Sequence, residues 1–107
     1  MSRTYDDHPL CDLADEIYEI NLANGWFDPD KPPRAFGDDI ALLHSEVSEA
    51  YEGYRNGDLA NVAEELADVL IPLLDTAKRY DIDLDHEVAK KLEKNRKRGY
   101  RHGNKVV

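Results

Sequence analysis

The chain has 107 residues, one cysteine and a formal net charge of −9. That length suits a single domain over residues 1–107 with a modest core. Cys11 has no partner for an internal disulfide, which fits a reducing, cytoplasmic setting. No apolar run is long enough to span a bilayer, and the opening MSRTYDDHP lacks the apolar stretch of a secretory signal, so no membrane partner is expected.

The charge is unevenly spread. Residues 1–89 carry 22 acids against 6 Lys or Arg, whereas residues 90–107 carry 8 Lys or Arg against Glu93 alone. An acidic body argues against duplex nucleic acid as a partner, because phosphate neutralisation dominates that affinity. A basic tail on an acidic body suits a small anionic, metal-bound ligand. It also suits a plain solvated helix end whose cations complement the helix dipole.

In chain order, residues 1–8 read as a loose leader, with Asp6 or Asp7 as cap and Pro9 in the first turn of a helix. Leu10, Leu13, Ala14, Ile17 and Ile20 recur at helical spacing, and Gly25 offers a stop. Three prolines and two glycines then forbid a regular element from Gly25 to Gly37, and Trp26, Phe27 and Phe36 make that segment an aromatic loop. Such aromatics either stack on a nucleobase or close the end of a bundle.

A second helix is expected from Asp38 or Asp39. Its core stripe reads Ile40, Leu43, Val47, Ala50 with Tyr51, and Tyr54, beside a second stripe of Leu42, Glu46, Glu49 and Gly53. Asn56-Gly57-Asp58 is a turn signal. The third helix, about Leu59 to Tyr80, is apolar nearly all round, which predicts a central, buried position. Pro72 removes the amide that would bond the Asp68 carbonyl and predicts a kink there. A fourth helix starts at the cap Asp83 and carries Leu84, Val88 and Leu92. Helical signal fades at Lys97–Gly99, and residues 99–107 read as a basic tail. Asp81, Asp83 and Asp85 resemble the start of a calcium loop, but His86 and Leu92 stand where its glycine and glutamate belong, and the motif is rejected. Four helices with short connections and no strand predict an all-α, four-helix bundle, completed by association with further copies.

Two acidic pairs organise this pattern. Glu46/Glu49 and Glu65/Asp68 are each spaced i,i+3, so each pair shares one helix face. The tight turn between the two helices makes them antiparallel neighbours, and the pairs can face one another. Four acids bordering apolar stripes call for a neutraliser. All-oxygen donors point to Mg²⁺, with Mn²⁺ as a substitute, and no Glu-x-x-His pair supports a di-iron site. Magnesium held by carboxylates keeps positions for waters and phosphates, which suggests a nucleotide polyphosphate.

Glu-x-x-Glu followed after fifteen residues by Glu-x-x-Asp resembles the signature of the all-α nucleoside triphosphate pyrophosphohydrolases, the MazG-like family. LLHSEVSEAYEGYRNGD, EELADVLIPLLDTAKRYDIDL and KLEKNRKRGYRHGNK carry the likeness over residues 38–105. The resemblance implies hydrolysis of a (deoxy)nucleoside triphosphate to monophosphate and pyrophosphate, in nucleotide-pool housecleaning. It implies Mg²⁺ at Glu46, Glu49, Glu65 and Asp68, a general base at Glu49 or Glu46, and phosphate contacts from Lys91, Asn95, Arg98, Arg101 and Lys105. Tyr100 and His102 are further candidates, and Trp26 or Tyr100 is the expected base or sugar contact. It also implies a homo-dimer or homo-tetramer. In some relatives a tyrosine one turn past the last acidic ligand holds the substrate; here that place is Pro72. The alternatives are a catalytically silent Mg-nucleotide-binding module and a structural helical dimer.

Overall fold

The computed structural model describes residues 7–26, 30 and 35–100. Four helices account for most of them: α1 Pro9–Ala23, α2 Phe36–Arg55, α3 Leu59–Arg79 and α4 Leu84–Arg98. No strand occurs among the described residues, so the all-α expectation holds. No described helix is long and apolar enough to cross a membrane.

Three of the four helix starts have a carboxylate cap, local or distant. Asp58 caps α3 by accepting from the Asn61 amide at 3.1 Å, and Asp83 caps α4 by accepting from the His86 amide at 3.0 Å. Gly57 adopts φ 74°, the left-handed conformation that the α2–α3 turn requires and that glycine takes without a Cβ penalty. The expected cap of α1 is corrected. The position before its first residue is His8, whose side chain makes no capping bond. Asp85 of α4 supplies the cap instead, accepting from the Leu10 and Cys11 amides at 3.0 and 2.8 Å. Two N-terminal amides with no partner inside their own helix find a carboxylate 74 or more residues away, which ties α1 to α4. The α2 boundary also moves. The helix begins at Phe36, inside the segment read as a loop, and Phe36 meets Tyr80 edge-on at 5.1 Å between ring centres.

α2 and α3 pack antiparallel. Asp39, Leu43, Glu46, Ala50 and Gly53 are the buried or half-buried positions along the α2 seam, at alternating spacings of four and three. Val62, Glu65, Val69, Pro72, Thr76 and Arg79 form the matching row on α3. This corrects the expected core stripe of α2: Val47, Tyr51 and Tyr54 are 53, 60 and 64% exposed. At the turn end the helices approach closely, since a Cβ built on Gly53 would lie 3.0 Å from Asn61 Nδ2. α3 continues unbroken through Pro72.

The core gathers where α1 crosses α3. Leu74 is 1% exposed and clusters with Ala14 and Ile17, flanked by Leu10 and Leu84. α3 is central, packing on α1 and α2, while α4 leans on α1. The expectation that α3 is buried all round is corrected for the single chain: Leu66, Leu70, Ile71 and Leu73 stay exposed, as do Val88 and Leu92 of α4.

Candidate metal centre

The expected acidic residues lie on facing helices near the middle of the α2–α3 seam. Glu46 and Glu65 are half-buried seam positions; Glu49 and Asp68 stand one turn from them on their own helices, at the exposed edge. Glu46, Glu49 and Glu65 each offer a carboxylate oxygen, and the three oxygens lie within 4.8 Å of one another. Asp68 is close enough to both Glu46 and Glu65 to push up their affinity for a proton.

Electrostatics record the crowding. Glu46 is held above the ordinary carboxylate value, first by loss of solvent and then by Glu49 and Asp68. Glu65 is raised for the same reasons in the same order, with Glu46 adding to the repulsion. Glu65 Oε2 is buried and receives no hydrogen bond. A buried carboxylate oxygen without a donor, next to three other carboxylates, is costly unless a cation or a proton satisfies it. The donor set is all oxygen, on two rigid helices, and fits a hard divalent cation.

A second acidic cluster has a different explanation. Cys11, Asp83 and Asp85 also bring potential ligand atoms together. There Asp85 is occupied by the Leu10 and Cys11 amides, and Asp83 by the His86 amide and the Cys11 thiol at 3.5 Å. Burial and a hydrogen bond with Asp85 push the thiol up to about 11, so it stays protonated at neutral pH. These groups hold helix ends.

The remaining expected contacts are placed as follows. Lys91, Asn95 and Arg98 lie at spacings of four and three along α4, which puts them on one face. Asn95 Oδ1 is buried without a donor, whereas Lys91 and Arg98 are exposed. Trp26 ends the turn after α1 and Tyr100 follows α4; each is 76% exposed. Arg101, His102 and Lys105 lie outside the described residues, as does Phe27.

A buried ion-pair group escapes the sequence reading altogether. Arg79 forks onto Asp39 at 3.0 and 3.3 Å and donates to Asp75 at 3.0 Å. Locally, Asp39 looks like a first-turn acid and Arg79 like a last-turn base, each serving its own helix dipole. The signal that finds them is the register: Asp39 is seven residues before Glu46 on the same stripe, and Arg79 stands four after Asp75.

The model of the MazG nucleotide pyrophosphohydrolase domain matches residues 38–102. No curated protein and no solved structure matches the chain. The matched span runs from the start of α2 through the acidic seam to the basic end of α4, more than half of the sequence. This chain is a member of the MazG nucleotide pyrophosphohydrolase family.

Proposed function

We propose that the chain is a Mg²⁺-dependent, cytoplasmic nucleoside triphosphate pyrophosphohydrolase that converts a (deoxy)nucleoside triphosphate to its monophosphate and pyrophosphate. The observation that carries this reading is the gathering of Glu46, Glu49 and Glu65, with Glu65 Oε2 buried and without a donor and Asp68 nearby, in a chain of this family.

Glu46, Glu49, Glu65 and Asp68 would hold the cation. When bound, Mg²⁺ (or Mn²⁺ in its place) supplies charge neutralisation for the triphosphate and a more acidic water. The protein's own part is positional and electrostatic. Glu49 or Glu46 accepts the proton of the water that attacks the α-phosphorus; for Glu46, loss of solvent and then the Glu49 and Asp68 charges raise its affinity for that proton. Lys91, Asn95 and Arg98, with Arg101 and Lys105 beyond them, donate to phosphate oxygens as charge moves to the leaving pyrophosphate. Trp26 and Tyr100 are the aromatic surfaces for base or sugar.

Completion by further copies belongs to the same proposal, as a homo-dimer or homo-tetramer. The Cα radius of gyration is 16.7 Å, against about 13 Å for a compact domain near this length. Leu66 and Leu70 of α3 and Val47 and Tyr51 of α2 stay 44 to 60% exposed in the single chain and offer apolar surface for another copy to cover.

A panel of standard and modified nucleoside triphosphates, incubated with Mg²⁺ and with chelator, tests the activity. Mg²⁺-dependent release of monophosphate and pyrophosphate supports it, and the order of rates names the base. Metal-dependent binding without turnover favours the silent nucleotide-binding module. Neither binding nor turnover leaves the helical dimer.

A further inference from the structure

The Asp39–Arg79–Asp75 group lies at the far end of the α2–α3 seam from the turn. Arg79 donates through both terminal nitrogens to the two oxygens of Asp39, at 3.0 and 3.3 Å, and through Nε to Asp75 Oδ2 at 3.0 Å. One terminal nitrogen also reaches Thr76 Oγ1 at 3.5 Å. The side chains are 9, 1 and 10% exposed for Arg79, Asp39 and Asp75. Asp75 Oδ1 is buried without a donor, so the group is not optimised for stability alone. Apolar residues of similar volume would hold two helices together at least as well.

What a forked, buried ion pair adds is uniqueness of register. The α2 seam repeats every seven residues through Asp39, Glu46 and Gly53, and on α3 Val62, Val69 and Thr76, like Glu65, Pro72 and Arg79, repeat at the same interval. A helix seam built on repeats tolerates sliding by a turn. One turn of slip moves Glu46 past Glu65 by about 5 Å, whereas oxygen ligands must sit about 2 Å from a magnesium ion. Gly53 against Asn61 fixes how near the helices come at the turn, but a glycine contact is smooth and sets no axial position. Arg79 lies eleven residues past Asp68, about 16 Å along α3, so it does not reach the acidic centre itself.

We propose that Arg79, forked onto Asp39 and backed by Asp75, is a positioning residue: it locks the α2–α3 register and thereby sets the spacing of Glu46 and Glu49 against Glu65 and Asp68. The link to a metal centre rests on the functional reading given above; the register lock does not.

The test uses full-length protein with Cys11→Ser and spin labels at His44→Cys and Ala63→Cys, two exposed sites on α2 and α3. Labelled protein is diluted with unlabelled protein so that only distances within one chain are read. Arg79→Met is expected to shift or broaden the distance distribution while helix content persists. Arg79→Lys, which carries the charge but lacks the fork, falls between. In unlabelled protein, Mn²⁺ binding followed by electron spin resonance weakens about tenfold or more in Arg79→Met, as for other residues that orient metal ligands. If Arg79→Met fails to fold, Asp39→Asn is read in the same two ways. A folded variant with the wild-type distance distribution overturns the register lock. Displaced helices with unchanged Mn²⁺ affinity overturn its role at the acidic centre. Wild-type protein that binds no Mn²⁺ contradicts the metal reading, while the label distances still decide the lock.

Discussion

Cys11 and Asp85 are 74 residues apart, yet the Cys11 amide donates to Asp85 Oδ2 at 2.8 Å while the Leu10 amide donates to Oδ1 at 3.0 Å. One carboxylate of α4 thus closes the open N-terminus of α1. Because α4 packs chiefly on α1, this contact helps decide where Lys91, Asn95 and Arg98 are carried.

Asp85→Asn is expected to cost about 1 kcal/mol of stability, the usual worth of a helix cap, measured by urea unfolding. The pH dependence has a definite sign. Burial raises Asp85, but the Cys11 and Leu10 amides outweigh it and leave the group below its ordinary value of 3.8. A carboxylate lowered by folding contributes stability that is present above the unfolded value and is lost as pH falls through the folded one. Wild-type protein should therefore lose this contribution below about pH 4, and Asp85→Asn should show no such loss. Parallel acid unfolding curves for the two proteins would contradict the assignment.

Glu65→Gln tests the acidic centre without reference to turnover. Glu46 and Glu65 are raised by loss of solvent and then by the Glu49 and Asp68 charges, so their contribution to metal-free stability is greatest at low pH and is lost as pH rises through the folded values. At neutral pH, metal-free Glu65→Gln should melt at the same temperature as wild type or higher. Mg²⁺ should raise the melting temperature of wild type and do so much less for the variant. A variant that melts lower without metal and responds equally to Mg²⁺ would show that no cation is held there.

Gly53 is the close-approach point of the seam. Gly53→Ala gains about 1 kcal/mol of helix propensity and presses on the flexible end of Asn61 at 3.0 Å and on Val62 at 3.4 Å. It should unfold within about 1 kcal/mol of wild type. Gly53→Leu has no room against Val62 and should cost about 2 kcal/mol or more. Equal stability of the two variants, by denaturant midpoint, would mean that the helices do not meet at Gly53.

The exposed apolar row on α3 gives the assembly prediction. Leu70 is 44% exposed in the single chain. If further copies cover it, Leu70→Lys should lower the sedimenting mass, and the monomer should melt several degrees below the wild-type oligomer. A change at that level of exposure that leaves both mass and melting unchanged would show that this face stays in water.

How much of this was legible in the sequence follows the range of the interaction concerned. The acidic pairs, the Asn56-Gly57-Asp58 turn and the cap Asp83 are local, set within three or four residues, and the structure has them where the pattern puts them. The cap of α1 is not local, so nearby Asp6 and Asp7 looked like its source while Asp85 does the work. The pattern puts Leu43 and Ala50 on the buried face of α2 correctly, but adds Val47, Tyr51 and Tyr54 because they outweigh Asp39 and Gly53 in apolar content. Close packing at Gly53 and the fork at Arg79 select the second set, and neither shows in hydrophobic spacing. The placement of Lys91, Asn95 and Arg98, the expected phosphate contacts, depends on where α4 ends up, which a pattern along one helix does not encode.

The central claim is water attack on the α-phosphorus at the acidic centre. The most direct measurement is hydrolysis of the best nucleoside triphosphate in ¹⁸O-water with Mg²⁺, with the products separated and weighed by mass spectrometry. The account predicts one ¹⁸O in the monophosphate and none in the pyrophosphate, with neither product formed by Glu49→Gln. Label in the pyrophosphate, release of orthophosphate, or full activity in Glu49→Gln would contradict it.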